Sequence, residues 1–251
     1  RYDVLMRAAA RVQEKQDQYA WTIAREGSKA IREARREPPR AANLLRLCAE
    51  EGRRLAGETL PFDSRVGSEN RVGYYFRFPV GVVGAITPFN DPLAMAAHKE
   101  GPALAAGNAV VLKPASATPL SALHLARDLM EAGLPEGRLN IVTGRGEELG
   151  EALVSDPRVR LVSFTGGVAT GEWITRKAGI KKLSMELGSN SPVIVLPDAD
   201  LDRAVPAIAA GAFAQAGQNC LGVQRVLVHE KIYAAFSRRF DDHVARLRAG
   251  S

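Results

Sequence analysis

The feature that most constrains this chain is an alternation. From Val80 onward, short apolar runs of strand length take turns with longer stretches of helical periodicity. Val80 to Ile86, Ala109 to Leu112, Leu139 to Val142, Leu161 to Phe164, Lys182 to Glu186 and Val193 to Leu196 read as strands. Helices are expected from Pro92 to Ala106 (with Asp91 as a cap), from Thr118-Pro119 to Gly133, from Glu147 to Val154 and from Ala169 to Lys177. Leu201 to Ala216 follows as a small-residue helix. This order implies α/β architecture, a parallel sheet covered by helices on both faces. Ligands bind such sheets at the carboxyl ends of the strands, so the residues just after each strand are where chemistry is sought.

The N-terminal part, to about Gly57, reads as helices, with Val4, Leu5, Ala8 and Val12 at helical spacing. Pro38 and Pro39 are expected to break the pattern, which resumes from Ala41 to Leu55. Pro61 to Ser68 reads as a loop, and Arg71 to Phe78 as an alternating, aromatic strand ended by Pro79. Three parts are expected: an N-terminal helical segment over 1–60, an α/β core over 61–187 and the beginning of a further α/β unit over 188–251.

Of the 251 residues, 46% are hydrophobic and 25% charged, which excludes a disordered tail, a fibre and a disulfide-stapled miniprotein. The cysteines are Cys48 and Cys220 alone, so a reducing, cytoplasmic setting is the simpler expectation. The longest uncharged stretch, between Arg203 and Arg225, holds Pro206, Gln215, Gln218 and Asn219 and is too polar for a good membrane span. No signal peptide opens the chain, and Arg1 is not a natural start, so the sequence is expected to begin inside a longer protein. The net charge of +6 invites a nucleic-acid partner. Between Arg25 and Arg54, however, basic residues alternate with Glu26, Glu33, Glu37, Glu50 and Glu51, the pattern of a solvated face. Neither nucleic acid nor membrane is expected as a partner. The four histidines are scattered without metal spacing, so no metal is expected.

Polar groups stand at strand ends or in Gly-rich loops at several points. Thr87-Pro88-Phe89-Asn90 follows the strand ending at Ile86. The Asn90 amide can hold an oxyanion or merely form a turn or cap. Lys113 ends a strand, where it can reach ribose hydroxyls or phosphates, or snorkel to the surface. Glu186, flanked by Met185 and Leu187, is expected to be partly desolvated and so suited to general base work; the alternative is an edge-strand Glu paired with Lys181 or Lys182. Cys220 sits between Gly217 and Gly222, open to approach as a nucleophile, or is a buried structural thiol. Cys48, in a helical pattern, is assigned the structural role. Gly144 to Gly150 nearly matches a dinucleotide fingerprint, with one extra residue before the last Gly, and Gly166-Gly167 opens a second strand-to-helix turn.

Together these segments resemble the aldehyde dehydrogenase superfamily of hydrolytic, NAD(P)-dependent type. The resemblance rests on Thr87-Pro88-Phe89-Asn90, Val111-Leu112-Lys113-Pro114, Phe164-Thr165-Gly166-Gly167, Met185-Glu186-Leu187-Gly188 and Gly217-Gln218-Asn219-Cys220, in order and roughly spaced from about Arg71 to the C-terminus. It implies a Rossmann-like sheet, N-terminal helices before it and the start of a catalytic domain after it. It implies that Cys220 attacks the aldehyde carbon and that the Asn90 amide and the Cys220 N–H hold the oxyanion. Glu186 would activate water against the thioester, giving a carboxylic acid. Lys113 would bind the adenosine ribose and Gly166-Gly167 would lie near the pyrophosphate, making the Gly144 loop a decoy. Thr87, Pro88, Phe89, Ser116 and Leu187 would complete the cofactor side.

NAD or NADP is the implied cofactor, a small aldehyde the substrate and a homo-oligomer the full-length state. Ser116, three after Lys113, stands where many NAD-preferring members carry Glu, which permits NADP. Gly167 replaces the usual Ser of the Phe-Thr-Gly-Ser motif and removes one hydroxyl contact. Family members are roughly twice as long, so a fragment with little turnover is expected. Lys113 to Ser116 and Cys220 to Arg225 look most like members acting on lactaldehyde or glyceraldehyde 3-phosphate. The competing expectations are a coenzyme A-acylating relative, against which Glu186 argues, and a nucleotide-binding module without catalysis.

Overall fold

The computed structural model describes residues 1–27, 29–248 and 250. The N-terminal helices are α1 (Tyr2–Glu14), α2 (Gln16–Gly27), the single turn α3 (Ile31–Ala34) and α4 (Glu37–Arg54). Leu5, Ala8, Ala9 and Val12 form one buried stripe on α1. It meets Ala41, Ala42, Leu45 and Ala49 of α4, where small side chains let the two helices approach closely. Pro38 and Pro39 do not break a helix, as the sequence suggested. They lie in the first turn of α4, where a missing N–H leaves no intrahelical bond unmade.

A short antiparallel pair follows, β1 (Glu58–Leu60) with β2 (Gly73–Tyr75). The expected strand from Arg71 to Phe78 is thus confined to its middle, and its partner β1 was not read from the sequence. The central sheet then builds from β3 (Val82–Ile86), α5 (Pro92–Ala105), β4 (Ala109–Lys113), α6 (Leu120–Glu131), β5 (Leu139–Ile141), α7 (Gly146–Ser155), β6 (Val159–Thr165), α8 (Val168–Lys177) and β7 (Lys182–Glu186). All its pairings are parallel, in the five-stranded order β5-β4-β3-β6-β7. The expected fold class is therefore the observed one. Strand order reverses at β3, with β4 on one side and β6 on the other, which creates a crevice at the carboxyl ends of β3 and β6.

The two sheet faces have separate cores. One contains Leu93, Ala96, Ala97, Leu125 and Leu129 of α5 and α6, and the N-terminal helices pack against the same core. The other contains Leu153, Val154, Val162, Phe164 and Ile174, from α7, β6 and α8. Gly84 in β3 admits that second layer: a Cβ there would lie 3.1 Å from both Leu153 Cγ and Val159 Cγ1.

After β7 the chain forms β8 (Ser191–Val195), α9 (Leu201–Phe213), β9 (Val223–Val228) and α10 (Tyr233–Val244). β8 and β9 pair in parallel, and Val195, Val205, Ile208 and Phe236 make a small core of their own. α9 ends at Phe213, three residues before the expected limit, and a turn over Ala214–Gly217, left-handed at Gln215 and Ala216, leads into the loop bearing Cys220.

Candidate active site

The sheet register places the candidates at one end of neighbouring strands. Ile86 pairs with both Lys113 and Phe164, and Thr165 pairs with Glu186. Thr87, Lys113, Gly166 and Glu186 therefore lie at or just beyond the carboxyl ends of β3, β4, β6 and β7, around the crevice.

Asn90 neither caps α5 nor simply turns the chain. Its Nδ2 donates to Gln218 O at 2.7 Å, two residues before Cys220. Asp91 occupies the cap position of α5, but its side chain makes no capping bond. The cap comes from outside: Glu37 Oε1 accepts from Leu93 N and Ala94 N, each at 2.8 Å. Cys220 is exposed and Cys48 is buried, which rules out the buried structural role for Cys220. Burial pushes the Cys48 thiol up, away from reactivity. The backbone carbonyl of Cys220 accepts a hydrogen bond from Ser189 Oγ, and the side chain of Asn219 receives Leu221 N at 3.1 Å. Ser189 was not singled out from the sequence; its place between β7 and β8 was the only available signal.

Glu186 departs from expectation. It is exposed, because β7 alternates: Met185 and Leu187 turn toward the core and Glu186 turns away. Nor does it pair with Lys181, whose Nζ donates instead to Val154 O and Asp156 O, both at 2.6 Å. Its carboxylate acts on Lys99 of α5, which the sequence reading missed. Lys99 is buried, donates to Ser163 Oγ at 3.1 Å, and has its pKa pushed down to about 8, by burial first, with Glu186 pulling weakly the other way. A Lys-Glu pair inside the otherwise apolar run Leu93 to Leu104 was the signal that could have found it. Nearby Met95 is half-buried and His98 exposed.

The cofactor-side residues flank the same crevice. Lys113 is buried, not snorkelling; its Nζ has one acceptor, Pro114 O at 3.0 Å, and burial lowers its pKa. Ser116 is exposed and donates to Gly144 O at 2.9 Å. Thr87 is buried, Pro88 half-buried and Phe89 exposed, with Phe89 O accepting from Thr118 Oγ1 at 3.3 Å. Gly167 precedes α8, with open space where a Cβ would stand, and Leu187 packs close by on Gly171. The hydroxyl of Thr165 is buried without a hydrogen-bond partner. A cation, an unmet hydroxyl and open backbone before a helix suit a phosphate-bearing dinucleotide. The near-fingerprint glycines Gly144 and Gly146 sit at the start of α7, beyond edge strand β5. A cavity of about 380 Å³, walled by Arg1, Leu104, Gly107 and Arg138, opens at the opposite end of the strands and contains none of these residues. Among the described residues no cluster of His, Cys, Asp or Glu is arranged to hold a metal ion. No helix there is long and apolar enough to cross a membrane.

The model of the aldehyde dehydrogenase family matches residues 1–251. The chain belongs to that family. It is 50% identical to aspartate-semialdehyde dehydrogenase 1 of Pseudomonas canavaninivorans, over all of this chain and 53% of that protein. It is 49% identical to 3-sulfolactaldehyde dehydrogenase of Priestia aryabhattai, again over the whole chain and 53% of the relative. The solved NADP-dependent glyceraldehyde-3-phosphate dehydrogenase from Bacillus halodurans C-125, complexed with NADP, superposes with a TM-score of 0.95 at 39% identity, covering 100% of this chain and 53% of that one. This aldehyde dehydrogenase chain thus spans about half the length of the relatives it matches.

Proposed function

We propose that the chain supplies the cofactor-binding core and the nucleophile of an enzyme oxidising a small polar aldehyde to its carboxylic acid, with NAD or NADP as oxidant. The observation that carries this reading is the hydrogen bond from Asn90 to Gln218 O, which ties the amide donor to the loop bearing the accessible thiol.

In this reading the Cys220 sulfur, as thiolate, bonds to the aldehyde carbon. The negative charge that develops on the carbonyl oxygen is met by the Asn90 amide and the Cys220 N–H. Bound nicotinamide supplies the two-electron acceptor for the hydride lost from that carbon. The remaining Cys220 thioester is opened by water, whose proton goes to Glu186, and the thiolate leaves. Lys113 and the Gly166-Gly167 turn hold the dinucleotide, with Thr87, Pro88, Phe89 and Leu187 around it. A neutral Ser116, already bonded to Gly144 O, places no negative charge against a 2′-phosphate, so NADP is admitted. The division at 60/61 and 187/188 belongs to the same proposal, as does assembly into a homo-oligomer. The substrate class is supported by relatives named for aspartate semialdehyde and 3-sulfolactaldehyde.

The test is nicotinamide reduction by the full gene product beside its Cys220→Ser variant, on a panel of small aldehydes, with NAD or NADP and with or without coenzyme A. Reduction that needs no coenzyme A and falls at least about 1,000-fold in the Ser variant is the expected result, since the variant removes the nucleophile itself. A strict coenzyme A requirement would overturn the hydrolytic step. No reduction with any pair would leave a nucleotide-binding module.

A further inference from the structure

We propose that Gln215 and Asp91 are positioning residues for this reaction: they clasp the loop bearing Cys220 to the helix start bearing Asn90, and so set the spacing between nucleophile and oxyanion donor. The inference rests on the reading of Cys220 and Asn90 given above. Among the described residues, Gln215 (φ 54°) and Ala216 (φ 56°) are the non-glycine residues with left-handed backbone. Strain of this kind persists only where surrounding contacts over-determine it.

Two contacts hold Gln215. Its backbone N–H donates to Glu33 Oε2 at 3.0 Å, and its Nε2 donates to Asp91 Oδ1 at 2.8 Å. Asp91 is itself fixed. Lys29 Nζ donates to the same Oδ1 at 2.6 Å and to Glu37 Oε2 at 2.8 Å, and Arg40 stands 3.5 Å from Oδ2. Glu37 in turn caps α5 through two backbone amides. The loop is thereby tied to successive residues, Gln215 to Asp91 and Gln218 to Asn90.

Two details argue for alignment over stability. Because Glu37 caps α5, the Asp91 carboxylate is free to face the loop. And Gln215 Oε1 is buried with no hydrogen-bond partner, an expense that a purely apolar filler would avoid. A charged, one-sided contact fixes direction where apolar packing would fix only volume.

The experiment uses the full gene product and the variants Gln215→Met, which keeps the shape and removes the amide, Asp91→Ala, which removes the acceptor, and the two combined. Three quantities are read: kcat, KM for the cofactor, and the rate of Cys220 alkylation by iodoacetamide without cofactor, with Cys220→Ser as blank. Each single variant is expected to lower kcat and the alkylation rate tenfold or more while KM for the cofactor stays within twofold. The double variant is expected to be no slower than the slower single. Folded variants with unchanged kcat and alkylation rate, losses confined to KM, or losses that multiply in the double variant would overturn the proposal. Should Gln215→Met fail to fold, Glu33→Ala takes its place: Glu33 is half-buried on a single surface turn, and the same fall in kcat and alkylation is expected. Should the parent reduce no nicotinamide, the enzymatic reading falls, and the alkylation rates alone still decide whether the clasp orients Cys220.

Discussion

Glu100 lies wholly inside the packed face of α5, and neither of its carboxyl oxygens has a hydrogen-bond partner. Burial raises its pKa well above the usual carboxylate range, so the folded chain keeps it protonated where the unfolded chain does not. Its contribution to stability is then fully present below the unfolded-state pKa and is lost as pH rises toward the folded-state value, at about 1.4 kcal/mol per pH unit. Glu100→Gln should abolish this dependence and leave the protein more stable than the parent at neutral and higher pH, which urea titrations at a series of pH values would read. A parent whose stability is flat across that range would contradict it. At this scale the sequence was legible in position where a polar residue ended or closely followed a strand, as for Lys113 and Asn90. It misled at Glu186, because apolar neighbours in a strand point to the opposite face from the residue between them; flanking Met185 and Leu187 signal exposure, not desolvation. Gln215 was unreadable: nothing in a run of small residues announces a left-handed turn.

Among the elements, α4 does more than pack against α1 and α5. Its first residue, Glu37, supplies the N-terminal cap of α5 and pairs with buried Lys29. Glu37→Ala would strip both, leaving Lys29 with Asp91 as its remaining carboxylate and two unmet N–H groups in the interior. A loss of about 3–5 kcal/mol in the free energy of unfolding is expected from chemical denaturation. Elements of the central sheet were legible because short strand-length runs alternate with stretches of helical periodicity. β9 was not, since Gln224 and Arg225 are both exposed at a register shift and break the alternation of inward Val223, Val226 and Val228. The early end of α9 has a different root: its Ala-rich sequence continues past Phe213, but Gln215 is held by tertiary contacts to Glu33 and Asp91.

For the whole molecule, the exposed apolar surface decides behaviour. Val66, Val72, Tyr74, Phe76 and Phe78 stand open on and around the β1–β2 pair, and Ile180 is fully open at the start of β7. Large exposed apolar patches and open strand edges drive association. The 251-residue chain by itself should therefore sediment as species that grow with concentration; a concentration-independent monomer would contradict this. On the proposed reading it should also turn over little, since Glu186 and Cys220 are both open to water and hydride chemistry needs a site that excludes it; nicotinamide reduction by the 251-residue chain at the rate of the full gene product would contradict this.

The clasp around Gln215 also has a consequence in time. Its two anchors, Glu33 and Gln215, are 182 residues apart. A ribosome adding about 5–20 residues per second takes roughly 10–40 s to span that distance. Throughout this interval the N-terminal helices and the sheet can fold, while the thiol's loop has not yet been made. A nascent chain thus makes the loop bearing Cys220 only after the helices and sheet to which that loop is tied.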